Sequence, residues 1–112
     1  MSDFCHTSDL INSLSIRSLQ VGDLDAVMAI ETLTSVHPWS LAQFHQSIEQ
    51  SAVLVSECQV LGYTVVSTAA DEAEIHNIAV ASEFQGRGLG SLLLDHSIGT
   101  LPSEILKLYL EV

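Results

Sequence analysis

The residues of this chain best suited to chemistry are three glycines at alternate positions, Gly86, Gly88 and Gly90, just before an apolar helix pattern. Glycine lets the backbone approach a bound group closely and adopt positive φ angles. Successive free N–H groups at the start of a helix form a site for an anion such as a pyrophosphate. Arg87 adds one of only 3 Lys or Arg side chains in the chain. The segment therefore indicates a ligand that carries a diphosphate.

The composition indicates one acidic, globular domain. The chain has 112 residues, 3 Lys and Arg against 14 Asp and Glu, and a formal net charge of -11. This charge argues against a protein that binds nucleic acid or an anionic membrane, and a basic partner fits better. The hydrophobic fraction of 47% argues against disorder. No apolar run approaches the ~18–20 residues of a membrane span.

Neither the N-terminal residues nor the cysteines suggest export or a metal site. Residues 1–12 carry no Lys or Arg and no apolar core of a signal peptide, so we expect a cytoplasmic protein. Cys5 and Cys58 are the only cysteines and form no C-x-x-C pair. The histidines are scattered along the chain, and we therefore expect no metal.

Periodicity predicts an α/β (α+β) fold in which a mostly antiparallel central sheet is flanked by helices. Ser40 and Gln43 form a capping-box pattern that opens one of the helices, and we expect Asp23 to cap the helix before it. The predicted elements, in chain order, are a flexible leader at 1–14, a strand at 15–20, a helix from Asp23 to about Thr34, a helix that begins after Ser40, strands at 52–57, 60–68 and 73–80, a helix from Leu89 to Gly99 and a strand at 105–112.

The last predicted strand carries Leu106, Leu108, Leu110 and Val112 on one face and stops on an apolar residue. Open strand edges invite unwanted pairing, so we expect the sheet to continue in residues that are missing here. A natural edge strand at the terminus is the alternative. Either way, the strand at 105–112 offers a surface through which two copies could dimerise.

A dinucleotide site is one interpretation of the glycine loop. The G-x-G-x-x-G pattern follows the first strand and has an acidic residue about 20 positions on. Gly86 and Gly88 match the first two glycines, and Glu111 matches the acidic residue. Ser91, however, stands at the third glycine position. Residues 81–85 also separate the loop from its strand, and an antiparallel meander precedes it. We therefore rank the dinucleotide interpretation second.

The pattern Q/R-x-x-G-x-G/A matches Gln85 to Gly90 at every fixed position. The chain resembles the GCN5-related N-acetyltransferase superfamily in this motif. Pro38-Trp39-Ser40, the segment 77–80 and Leu110-Glu111-Val112 further resemble the bacterial ribosomal-protein-alanine N-acetyltransferases. The resemblance covers about residues 15–112.

This resemblance implies an acyl-CoA N-acyltransferase fold and acetyl-CoA as cosubstrate. In the family, the strand before the loop meets the pantetheine arm, and the loop and helix start bind the pyrophosphate. The implied cofactor-binding residues are Ile78, Ala79, Val80, Gln85, Gly86, Arg87, Gly88, Leu89, Gly90 and Ser91. The family's proposed general base falls on Glu111, which shares a strand face with Tyr109 and Lys107. His76 is a weaker candidate, because a histidine at such a position is more often a hydrogen-bonded strand residue.

The resemblance also implies the acceptor, the N-terminal alanine α-amine of a ribosomal protein. An α-amine, with a pKa of ~7.7–8.0, is more often neutral at pH 7 than Lys at ~10.4, so one carboxylate suffices as base. The chain departs from the family after the fifth strand, where members continue with further helix and strand segments. The domain at 15–112 is thus expected to be incomplete and to catalyse poorly or not at all. A non-catalytic fragment or CoA-binding module that completes its sheet with another chain is the alternative.

Overall fold

The computed structural model describes residues 14–56 and 59–110. Residues 1–13 of the predicted leader, both cysteines and Glu111 lie outside these ranges. The elements are β1 (Ser15–Ser18), α1 (Leu24–Thr34), α2 (Leu41–Gln46), β2 (Ala52–Val55), β3 (Val60–Ala69), β4 (Glu72–Val80), α3 (Leu89–Gly99) and β5 (Lys107–Leu110), with short 3-10 turns at Val21–Asp23, Ile48–Gln50 and Ser82–Phe84. Among these residues, no helix has the length and apolar character needed to cross a bilayer.

The strands form one sheet in the order β1-β2-β3-β4-β5. The first three pairings are antiparallel, and β4 and β5 run parallel. The predicted α/β fold with a mostly antiparallel sheet is therefore confirmed. The parallel pair joins Glu72–Ile75 to Lys107–Leu110, so it uses only the first part of β4.

The sheet separates two hydrophobic clusters. Tyr63 and Val65 of β3, two positions apart, belong to the first cluster, as strand geometry requires. Leu61 belongs to the second cluster, because the register between β2 and β3 skips this residue and the bulge reverses the alternation. The first cluster is formed with α1 and α2, and Val27 and Phe44 are its fully buried helical members. The second is formed with α3, whose Leu93 is also fully buried. Helices thus cover both faces of the sheet.

Two local signals behave differently at the helix starts. The capping box at α2 is confirmed, because the Gln43 N–H donates to Ser40 Oγ at 3.3 Å and the Ser40 N–H donates to Gln43 Oε1 at 2.8 Å. Asp23 precedes α1, yet its carboxylate does not cap that helix. Instead it accepts two hydrogen bonds from Arg17, at 2.7 and 2.8 Å. These hydrogen bonds lower the pKa of Asp23.

The apolar side chains of β5 are poorly covered by the described residues. Leu106 is 78% exposed, Leu110 57% and Tyr109 50%. Of the described residues on the predicted face, Leu108 is partly buried, whereas Leu110 and Leu106, which precedes β5, are exposed. The predicted face of alternate apolar residues therefore carries little of the core within the described part of the chain.

Gly62 is predicted to be indispensable for packing β3 against β4. A Cβ at this position would lie 2.6 Å from the Ala79 carbonyl oxygen and 3.1 Å from Leu93 Cδ1. We expect Gly62→Ala to lower the free energy of unfolding by ~1–3 kcal/mol, as overpacking does, in a urea titration. Gly99→Ala is the control, because a Cβ there meets nothing within 4 Å. Equal midpoints for the two variants would contradict the close approach.

Candidate functional site

The glycine loop is held to the end of β4 at two points. Phe84 is buried in the second hydrophobic cluster and anchors the 3-10 turn that precedes the loop. The Gln85 side-chain amide then donates to the Val80 carbonyl oxygen at 2.9 Å. Gly86 and Gly88 both have φ of 80°, a conformation that glycine adopts without steric cost. The loop therefore starts from a fixed strand end and turns into α3 through two left-handed residues.

The loop delivers free backbone N–H groups at the N-terminus of α3. Gly88 is the N-cap residue and has no side chain to cap the helix. The Leu92 N–H donates to the Gly88 carbonyl oxygen at 3.2 Å and is the first to have a helical acceptor. The N–H groups of residues 89–91 precede it and lack an intrahelical partner, as at any helix start. Together with the helix dipole, they can bind an anion.

Side chains at the helix start have different roles. The Leu89 side chain is 4% exposed and packs in the core, so only its backbone is available to a ligand. Arg87 and Ser91 are exposed. Arg87 forms no ion pair with any other described residue, and its guanidinium can meet a phosphate.

Among residues 14–56 and 59–110, the second half of β4 has no partner on the edge that faces β5. Within the described residues, β5 pairs with β4 only as far as Ile75, which lies opposite Leu110. The register between β3 and β4 skips His76, because Val65 pairs with Asn77 and Val66 pairs with Ile75. Such a bulge bends a strand and increases its twist. Ile78, Ala79 and Val80 lie beyond this bulge, with backbone groups along the open edge.

A cavity of about 490 Å³ lies beside the bulge. It is lined by Glu31, Thr34, Ser35, Val36, His37, Trp39, His76 and Asn77. These residues come from the end of α1, the segment between α1 and α2, and the middle of β4. The cavity is therefore next to the point at which the edge of β4 becomes free.

A buried carboxylate that the sequence analysis missed forms one wall of this cavity. Glu31 is 1% exposed. Its oxygens accept hydrogen bonds from the Trp39 N–H at 2.9 Å, from Asn77 Nδ2 at 2.8 Å and from the Tyr63 hydroxyl. Burial and the hydrogen bond to Glu31 raise the pKa of Tyr63 well above its usual range. The available signal was position, since Glu31 follows Leu24 and Val27 at helical spacing on the buried face of α1.

His76, the weaker candidate for the base, lies against Trp39. The rings of His76 and Trp39 are 5.0 Å apart, and those of Trp39 and Phe44 are 5.5 Å apart. His76 Nε2 lies 2.7 Å from Ser67 Oγ, as expected of a hydrogen-bonded strand histidine. No group of three or more side chains suited to a metal occurs within residues 14–56 and 59–110. Glu111, the predicted base, follows Leu110 and lies outside those ranges.

Comparison with known proteins identifies similar sequences and folds. The sequence model of the Acetyltransferase (GNAT) family matches residues 19–112. The ribosomal protein bS18-alanine N-acetyltransferase of Salmonella typhimurium is 34% identical over 106 residues, which are 91% of this chain and 70% of that protein. The crystal structure of the Escherichia coli ribosomal-protein-S18-alanine N-acetyltransferase superposes with a TM-score of 0.69 at 31% identity, covering 77% of this chain and 57% of that one.

A second similar structure contains coenzyme A. It is the N-acetylglutamate synthase from Neisseria gonorrhoeae, complexed with coenzyme A and N-acetyl-glutamate. It has a TM-score of 0.69 and 27% identity, and the match covers 77% of this chain and 22% of that one. A CoA ligand is therefore compatible with the fold that these chains share.

The two glycines at the helix start should respond differently to alanine. Gly88 has φ of 80°, so Gly88→Ala should cost ~1–2 kcal/mol of unfolding free energy for a left-handed residue. The motif itself allows alanine at Gly90, where a Cβ meets nothing within 4 Å. We therefore expect Gly90→Ala to keep the wild-type urea midpoint or raise it. A Gly88→Ala protein as stable as Gly90→Ala would show that the positive φ is not needed.

Proposed function

The chain belongs to the acetyltransferase (GNAT) family, and on that premise we propose that it transfers an acetyl group from acetyl-CoA to the N-terminal alanine α-amine of a ribosomal protein. The observation that carries the proposal is the left-handed glycine loop at the start of α3, beside the unpaired edge of β4. The sequence-based assignment to the family, made from the Gln85–Gly90 motif, is confirmed by the match over residues 19–112. Acetylation of a ribosomal protein also implies a cytoplasmic location.

The proposed cofactor contacts use two sets of backbone groups, the N–H groups at the start of α3 and the edge of β4 at residues 78–80. We assign the pyrophosphate to the N–H groups at the start of α3 and to Arg87. The pantetheine arm, which carries amide groups, would then lie along β4 at residues 78–80 as an additional strand. This arrangement relies on backbone N–H groups, which suits a chain with only 3 Lys and Arg residues. The thioester would reach the bulge at His76, where the cavity begins.

The acceptor amine fits the cavity lined by α1, Trp39 and β4. An amine must be neutral to attack a thioester, which favours an α-amine over a lysine. Glu111 is the proposed base, and the last described residue before it, Leu110, pairs with Ile75 next to the bulge. The net charge of -11 would attract a basic acceptor, an effect that added salt should weaken.

The position of the loop in the fold favours CoA over a dinucleotide. A dinucleotide-binding loop follows the first strand of a parallel sheet. Here the loop follows β4, after three successive antiparallel pairings.

Dimerisation through the strand at 105–112 stays a prediction.

Cofactor selectivity can be measured by thermal unfolding. We expect CoA to raise the Tm in a concentration-dependent way and to do so more than NAD at equal concentration, because only the folded state binds the ligand. Salt and buffer are held constant between the two titrations. A larger shift with NAD would revive the dinucleotide interpretation.

The role of Glu111 can be tested by following CoA release from acetyl-CoA in the presence of an alanine-initiated basic peptide. Loss of a general base typically costs ~100-fold or more, so we expect Glu111→Gln to reduce turnover by that factor and to leave CoA binding intact. Glu104→Gln is the control, since Glu104 is exposed and precedes β5.

Two results would count against this assignment. Unchanged turnover in Glu111→Gln would show that Glu111 is not the general base. A chain that binds CoA but releases none from acetyl-CoA would favour the non-catalytic alternative, a CoA-binding module.

A further inference from the structure

Glu31 is a buried carboxylate to which the proposed transfer reaction assigns no role. We propose that it is a positioning residue, which holds the backbone at Trp39 against the sheet and so sets the wall of the cavity assigned to the acceptor. This role rests on the proposed function of that cavity. A residue on α1, outside the glycine loop proposed for CoA, would then affect how the acceptor binds.

The hydrogen bonds of Glu31 join three parts of the fold. Its donors are the Trp39 backbone in the segment between α1 and α2, the Tyr63 hydroxyl on β3 and the Asn77 amide on β4. Glu31 itself lies on α1 and is 1% exposed. A buried carboxylate is costly unless its oxygens are hydrogen-bonded, so the four groups must keep their relative positions.

The bond to Trp39 is the one that reaches the cavity wall. Residues 35–40 have no helix or strand, and the N–H of Trp39 in their midst donates to Glu31 Oε2. The Trp39 ring packs against the rings of Phe44 and His76. Trp39, His76 and Asn77 all line the cavity. If the carboxylate is lost, the segment loses its link to the sheet and the wall can move.

Packing alone does not account for a carboxylate at this position. Val27 and Ile30 on the same helix already bury apolar side chains in the first cluster. An apolar side chain at position 31 would leave the Trp39 N–H, the Tyr63 hydroxyl and the Asn77 amide without their acceptor. The carboxylate is therefore explained by the three donors that it holds together.

The test compares Glu31→Leu with a matched control on the other face of the sheet. The control is Ser97→Ala, which removes a buried hydrogen bond of 2.9 Å between Ser97 Oγ and Thr64 Oγ1. Trp39 is the only tryptophan in the chain, so its emission reports on this segment alone. We expect a red-shifted emission that iodide quenches more readily in Glu31→Leu, and the wild-type emission in Ser97→Ala.

Peptide binding provides the second measurement. The probe is the peptide Ala-Arg-Gly-Arg-Gly-Arg, titrated by calorimetry into the CoA-saturated protein. We expect the Kd of Glu31→Leu for this peptide to rise about tenfold and its Kd for CoA to stay within about twofold. If Glu31→Leu does not fold, Glu31→Gln replaces it. The amide has one acceptor oxygen in place of two, so a smaller rise in the peptide Kd is expected.

The outcomes separate this inference from the proposed function. Wild-type emission and wild-type peptide affinity in the Glu31 variant would overturn the positioning role while the function stands. A shifted emission with unchanged peptide affinity would also overturn it. A wild-type chain that binds CoA but not the peptide would overturn the acceptor assignment and the positioning role together. An equal red shift in Ser97→Ala would show that the change in Glu31→Leu comes from a general loss of stability, and would overturn the positioning role.

Discussion

The arrangement of this protein depends on one parallel strand pair at the edge of an otherwise antiparallel sheet. A parallel pair cannot be closed by a tight turn, so the chain must leave the end of β4, cross one face of the sheet and return beside the beginning of β4. The crossover contains the glycine loop and α3. The helix start is thereby placed at the same end of the sheet as the open edge of β4, and both offer backbone groups to a ligand.

The bulge at His76 completes this geometry. The parallel pairing is described up to Ile75 and Leu110, one residue before the bulge. A bulge increases local twist, which turns the rest of β4 away from the direction set by its partner. The cavity proposed for the acceptor and the edge proposed for the cofactor meet at this residue. Arg17 is already paired with Asp23, so the backbone N–H groups at the start of α3 and the Arg87 side chain are what we propose for binding an anion.

Features that depend on neighbouring residues were predictable from the sequence. The capping box at Ser40 and Gln43, the helical spacing of α1 and the glycine motif each lie within a few positions, and the structure contains all three elements. The antiparallel meander followed from strand runs joined by short turns. Asp23 shows the limit of this reasoning, because Arg17 competes for the carboxylate that was expected to cap α1.

Features that depend on distant residues were not predictable. Glu31 and Asn77 are 46 positions apart, and no local pattern joins them. The skipped residue in β4 is visible only when β3 is placed beside it. The turn between β3 and β4 has Ala70 at φ 53°, where a sequence rule would expect glycine or asparagine. In each case tertiary contacts override the local preference.

The crossover also bears on the order in which the protein assembles. The two-residue turn at 70–71 closes the hairpin of β3 and β4 at once, whereas β5 can pair only after residues 81–106 have folded back. Closing a longer loop costs more chain entropy, and contacts between distant residues form more slowly. Short edge elements are also the first to open in the native state. The two short edge strands, β1 and β5, are therefore expected to pair later than this hairpin and to separate before it, and the end of β5 lies beside the edge proposed for the ligand.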